Sequence, residues 1–211
     1  MDKKLKRVRV YGPDVNLVKL DGVNTVEKTY RKRSFPVRLI GKILIAWESY
    51  IYSRLHDVPG IPQLISRPDS YTLRITYIEG ENLRDTQRRP DAHYFTSLKG
   101  IICQIHDKGV VHLDLRNRRN YLIDAHGMPY IVDFGSCVYI PWPSFLKNMF
   151  AKIDWIGFLK IKYKLAPELI TEQEQYLFAI GNRLSRLWVI AKVPKLLRKL
   201  SENLKKILSV R

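Results

Sequence analysis

Val111-His112-Leu113-Asp114-Leu115-Arg116-Asn117-Arg118-Arg119-Asn120-Tyr121-Leu122-Ile123-Asp124, followed by Ile131-Val132-Asp133-Phe134-Gly135, is the stretch that decides the reading of this chain. Two short apolar segments within it, Tyr121 to Asp124 and Tyr130 to Val132, are joined by Ala125-His126-Gly127 and read as a hairpin. The hairpin sets Asp114 and Asn120 in the loop before it and Asp133 just after it, so all three fall at one edge of a cleft. A carboxylate able to take a hydroxyl proton, with an amide and a second carboxylate able to hold magnesium against phosphates, is the donor set that phosphoryl transfer requires.

Upstream, residues 5 to 30 alternate and are broken by Gly12-Pro13-Asp14 and Asp21-Gly22, which predicts three antiparallel strands, Leu5 to Tyr11, Val15 to Leu20 and Val23 to Tyr30. Leu39, Ile43, Ala46, Trp47, Tyr50, Ile51 and Leu55 then recur at helical spacing over residues 37 to 56, until Pro59-Gly60-Ile61-Pro62 stops them. Strands are expected at Gln63 to Ser66 and Thr72 to Ile78, and a helix from Ala92 to Lys108 capped by Gly109. After residue 143 the pattern is helical, with Pro167 breaking one helix and starting the next. Sheet first and helices later is the order of an α+β protein.

Taken together, the loop and the hairpin resemble the protein-kinase-like superfamily, whose catalytic loop reads H-x-D-L-x-x-x-N and whose metal loop reads D-F-G. Asp133 stands thirteen residues after Asn120, as in that family, but Asn120 stands six after Asp114, one more than the family pattern. The closer resemblance is to small bacterial kinase-like proteins of the RIO and lipopolysaccharide (Kdo/heptose) kinase type, carried by residues 48 to 64, 106 to 124 and 133 to 137. It implies a bilobal fold, with an antiparallel N-lobe over residues 1–80 ending in a hinge, and a reduced, mainly helical C-lobe over 81–211. It implies ATP and Mg2+ as ligands, Asp114 as catalytic base, and Asn120 and Asp133 as metal ligands. Lys28, on the third strand, would grip the phosphates and be held by Glu48 of the first helix. In the hinge, Ile75 would be the gatekeeper, with the Thr76 carbonyl and the Ile78 amide reading adenine. The family's glycine-rich loop is missing; Gly12-Pro13-Asp14 stands there, and proline removes an amide donor.

Composition bounds the partners. The chain has 211 residues, and 37 Lys and Arg against 20 Asp and Glu give a net charge of +17, which favours phosphorylated ligands, anionic lipid or nucleic acid. From Arg186 to Arg211 the leucines fall on one stripe among basic residues, a pattern that suits either an anionic membrane surface or the cover of a core. No apolar run reaches ~20 residues, no apolar signal segment follows the basic start, and two cysteines form no disulfide framework, so the expected location is cytoplasmic or peripheral on the inner face of the cell membrane. The acceptor hydroxyl is left open among a protein Ser/Thr, a sugar of a lipid-linked glycan (glycolipid) and a small molecule. The reading from another class is a pseudokinase serving as a nucleic-acid or membrane-surface binding module, nucleic acid being the weaker option because no RNA-stacking motif is present.

Overall fold

Short alternating runs punctuated by tight turns build the first half of the molecule. The computed structural model describes residues 3–4, 11–142 and 145–187, so most of the expected first strand and of the basic tail after Leu187 lies outside the described residues. A five-stranded antiparallel sheet has the order β1-β2-β3-β5-β4, formed by Lys3–Lys4, Asp14–Leu20, Val23–Thr29, Thr72–Thr76 and Leu64–Asp69 respectively. Pairing with β2 begins at Lys3, earlier than the expected Leu5, through the registers Lys3↔Leu17 and Lys4↔Asn16. Gly22, at φ +83°, closes the β2–β3 turn after Asp21, and every residue of both strands is in register from Asp14↔Thr29 to Leu20↔Val23.

Helix α1 (Phe35–Arg54) starts after Ser34 with Pro36 in its first turn, where a missing N–H costs nothing. Its buried set is Gly41, Ile45, Glu48, Ile51 and Tyr52. The spacing that predicted this helix partly traces the other side, because Leu39, Ile43 and Tyr50 are exposed. Both faces are apolar, so periodicity alone did not distinguish inside from outside.

Beyond Glu81–Asn82 (β6), helix α2 (Ala92–Asp107) is capped by the Asp91 carboxylate, which accepts from the Tyr94 N–H at 2.8 Å. Its buried stripe, Tyr94, Phe95, Leu98, Ile101, Ile102 and Ile105, follows i, i+3, i+4 spacing, and each such side chain contributes about 1.5–3 kcal/mol on burial. Gly109, at φ +77°, ends the helix and leads into Val110–Val111 (β7). The hairpin of Tyr121–Ile123 (β8) and Pro129–Ile131 (β9) pairs on its other edge with β6, while Val138–Tyr139 (β10) pairs antiparallel with β7. Helix α3 (Phe145–Leu165) is followed by a 3₁₀ turn at Pro167–Leu169, and α4 (Glu172–Leu187) begins three residues later, so Pro167 opens a turn rather than the next helix itself.

Two compact units result, Met1–Ile170 and Thr171–Arg211, and all the candidate residues lie in the first. Among the described residues no helix is long and apolar enough to cross a membrane.

Candidate active site

Alternation along β3 sends Lys28 to the face opposite Glu27 and Thr29. There its ammonium meets the Glu48 carboxylate of α1 at 2.5 Å and the Asp133 carboxylate at 2.9 Å. Lys28 and Glu48 are both almost fully buried, whereas a third of the Asp133 side chain remains accessible. Burial alone would pull the Lys28 pKa down, but the carboxylates of Asp133 and Glu48 outweigh it and hold it well above its ordinary value. The ammonium is therefore charged at every physiological pH. The sheet's outer face carries a depression of about 380 Å³ lined by Asp14, Glu27, Arg31, Asp69 and Arg74 among others, on the opposite side of β3 from Lys28.

The loop after β7 shows how a six-residue spacing still joins its two ends. Asn117 N–H donates to the Asp114 carbonyl and Asn120 N–H to the Asn117 carbonyl, two successive turns that coil the extra residue into a 3₁₀ segment at Arg118–Asn120. The Asn117 side chain caps that segment, its Oδ1 accepting from Arg119 N–H at 3.2 Å. Asn120 thereby returns to Asp114, donating from Nδ2 to the carboxylate at 2.9 Å and to the backbone carbonyl at 3.1 Å. Asn120 is fully buried, and its carbonyl accepts from Val132 N–H at 2.9 Å, which ties the loop to the strand end that carries Asp133.

Two non-glycine residues here sit in the left-handed region, Leu113 at φ 63° and Asp133 at φ 73°, each at a cost of about 1–2 kcal/mol. Leu113 is held there by Asp154 of α3, a carboxylate with no accessible surface that accepts from the N–H groups of His112 at 2.7 Å and Leu113 at 2.8 Å. The His106 ring of α2 lies against the same carboxylate at 3.1 Å. His112 Nε2 donates to the Val132 carbonyl at 3.3 Å and its Nδ1 accepts from Asp114 N–H at 3.4 Å, which fixes the ring as the Nε2–H tautomer and links the loop once more to Asp133. The Phe134 ring, wholly buried, stacks edgewise on both His112 and Tyr52.

Asp154, His106, His112 and Asn117 were missed as site residues by the sequence reading. Signals existed for two of them: His112 fills the first position of the H-x-D-L pattern, and Asp154 is the one acid of α3, among five lysines, in the middle of an apolar pattern. Of the expected adenine readers, Ile75 is buried in β5 opposite Val26 of β3, and Thr76 ends that strand with its N–H on the Gln63 carbonyl and its hydroxyl on Gln63 N–H. Ile78 follows in the segment before β6, half-buried.

The donor chemistry fits magnesium. Asp133 and Asn120 offer hard oxygens from one carboxylate and one amide, and a Mg2+ ion bound through substrate phosphates needs only one or two protein ligands. The described residues contain no group of three or more His, Cys, Asp or Glu placed to hold a metal by themselves.

Comparison with known proteins places the fold. No family model matches the chain. A 58-residue segment, 26% of the chain, is 36% identical to the serine/threonine-protein kinase PSK2 of Saccharomyces cerevisiae, and the match spans 5% of that protein's length. The crystal structure of the Rio2 kinase from Chaetomium thermophilum superposes with a TM-score of 0.59 at 17% identity, over 88% of this chain and 73% of that one. The same kinase in its ADP/Mg2+-phosphoaspartate complex gives 0.62 at 17% identity, over 99% and 72%. The chain has an α+β kinase-like fold, with an antiparallel N-terminal sheet and a helical C-terminal part.

Proposed function

We propose that this chain is an ATP-dependent phosphotransferase that moves the γ-phosphoryl group to a hydroxyl, with an activity of the serine/threonine protein-kinase type. The observation that carries the reading is the convergence of two clusters from distant parts of the sequence, Lys28–Glu48–Asp133 and Asp114–Asn120, bound to each other through Val132. A kinase-like fold suggests phosphotransfer, and the structurally similar Rio2 kinase was solved with ADP and Mg2+, which supports the same ligands here.

In this reading residues 1–80 form the lobe that grips nucleotide. Lys28 is positioned by Glu48 to meet the α- and β-phosphates, Ile75 lines the adenine site, and the Thr76 carbonyl and Ile78 amide read the base. Residues 81–211 form the lobe that does the chemistry. Asn120 and Asp133 would hold Mg2+, which supplies charge neutralisation at the phosphates when bound. Asp114, oriented by the Asn120 amide, accepts the acceptor's hydroxyl proton as the new O–P bond forms and the bond to the ADP oxygen breaks. The +17 charge suits an acidic or phosphorylated acceptor, whether a protein or a lipid-linked sugar.

The test separates base from grip. Asp114→Ala is expected to lower transfer of labelled phosphate from ATP by at least ~10²-fold with nucleotide affinity nearly unchanged, whereas Asp133→Asn is expected to lose magnesium-dependent ATP binding and turnover together. Full transfer by Asp114→Ala would remove that residue from its role. Absence of magnesium-dependent ATP binding in the unaltered chain would remove the whole reading.

A further inference from the structure

The outward face of α1 carries more exposed apolar surface than its packing explains. Phe35 is 78% accessible, Ile43 67%, Ile40 59% and Leu39 58%. At helical spacing Phe35, Leu39 and Ile43 line up on successive turns, and Ile40 and Leu44 form a second row beside them. Single exposed apolar side chains are ordinary on a protein surface, but adjoining rows over three turns of one helix make a contiguous patch, and such patches mark interaction sites.

Charge selects the occupant. Residues 31–47 contain Arg31, Lys32, Arg33, Arg38 and Lys42 and not one Asp or Glu. Arg31 and Arg33 are paired with Asp69 and Asp14, and Arg38 lies over the Tyr71 ring; Lys42 stands exposed on α1 one turn from Leu39, and Lys32, exposed two residues before Ser34, also lines the depression on the sheet's outer face. The first turn holds no acid and Ser34 makes no side-chain cap bond, so the positive end of the helix dipole is unopposed as well. A second copy of the chain would set this positive surface against its own like charge. A fluid anionic surface that admits apolar side chains and presents phosphates above them satisfies both demands.

We propose that the outer face of α1 docks on an anionic membrane surface, with Phe35, Leu39, Ile40 and Ile43 at the boundary between headgroups and acyl chains and Lys32 and Lys42 at the level of the lipid phosphates. The inference does not depend on the phosphotransfer reading. It bears on it all the same, because the docked helix is the one whose inner face carries Glu48.

Cosedimentation of the full chain with vesicles tests it. Phosphatidylcholine vesicles containing phosphatidylglycerol should retain the protein, phosphatidylcholine vesicles alone should not, and retention should fall as salt is raised. Leu39→Glu combined with Ile43→Glu should weaken retention by about tenfold or more at an unchanged melting temperature, and Lys32→Glu with Lys42→Glu should weaken it on the anionic vesicles. If the double acidic variant fails to fold, Ile43→Ser with an intact circular dichroism spectrum serves the same purpose. Retention that ignores all these changes, or that disappears only when the residues after Leu187 are removed, overturns the proposal. So does a chain that never binds vesicles and sediments as a dimer which Leu39→Glu/Ile43→Glu splits into monomers.

Discussion

Asp154 and Tyr52 make opposite use of burial. Asp154→Ala strips three donors of their shared acceptor and leaves Leu113 in a strained conformation with nothing to hold it, so a loss of about 3 kcal/mol in urea denaturation is expected, together with impaired turnover. The Tyr52 hydroxyl is buried without a hydrogen-bond partner, and burial, added to by the Glu48 and Asp133 carboxylates against the opposing Lys28, pushes its pKa far up. Tyr52→Phe removes only the unsatisfied group and is expected to stabilise by ~1 kcal/mol in the same assay, with the ring contact to Phe134 kept. The sequence marked Asp154 as a lone acid in an apolar pattern but showed neither its partners nor the state of the Tyr52 hydroxyl. The partners of Asp154 are mainly backbone N–H groups, which every residue but proline possesses, and a tyrosine at a buried helix position looks the same whether or not its hydroxyl is satisfied. The convergence of Asp114, Asn120 and Asp133 was legible because their order along the chain is fixed by one hairpin.

Helix α3 touches the loop through Gly157, where an added Cβ would meet the Leu115 carbonyl carbon at 2.8 Å and Arg116 N at 3.0 Å. Those are backbone atoms and cannot swing aside. Gly157→Ala gains about 1 kcal/mol of helix propensity but incurs about 1–3 kcal/mol of overpacking. The expected net loss is ~1 kcal/mol, with slower turnover because the displaced segment follows Asp114. In α2 an added Cβ at Gly100 would meet nothing within 4 Å, so Gly100→Ala is expected to gain ~1 kcal/mol; thermal melts of the two variants should shift in opposite directions. Elements of this size were readable where a turn residue bounded them, as Gly109 bounds α2. The two-residue strands β6, β7 and β10 were not, since two residues establish no period and only their partners define them.

For the whole molecule, ligand linkage gives the broadest check of the nucleotide reading. A ligand that binds only the folded state at a hundred times its Kd stabilises by ~2.7 kcal/mol, which for a chain of this length is about 6 °C in Tm. MgATP is expected to produce a shift of that order, ATP with EDTA much less, and the Asp133→Asn variant little with either. The kinase-like architecture was visible from sequence despite 17% identity to its structural neighbours, because a few spaced polar residues report the topology that the apolar majority can build in many interchangeable ways. The ammonium that Lys28 places 2.9 Å from Asp133 also sets terms for assembly. In the proposed reading a divalent ion arriving by itself would meet a carboxylate that already pairs with a buried ammonium. Phosphates arriving by themselves find the same cation with two carboxylates at its back. In the proposed reading the metal offsets the carboxylates that oppose the phosphates, and the phosphates offset the ammonium that opposes the metal, so each is expected to raise the other's affinity by one and the same factor.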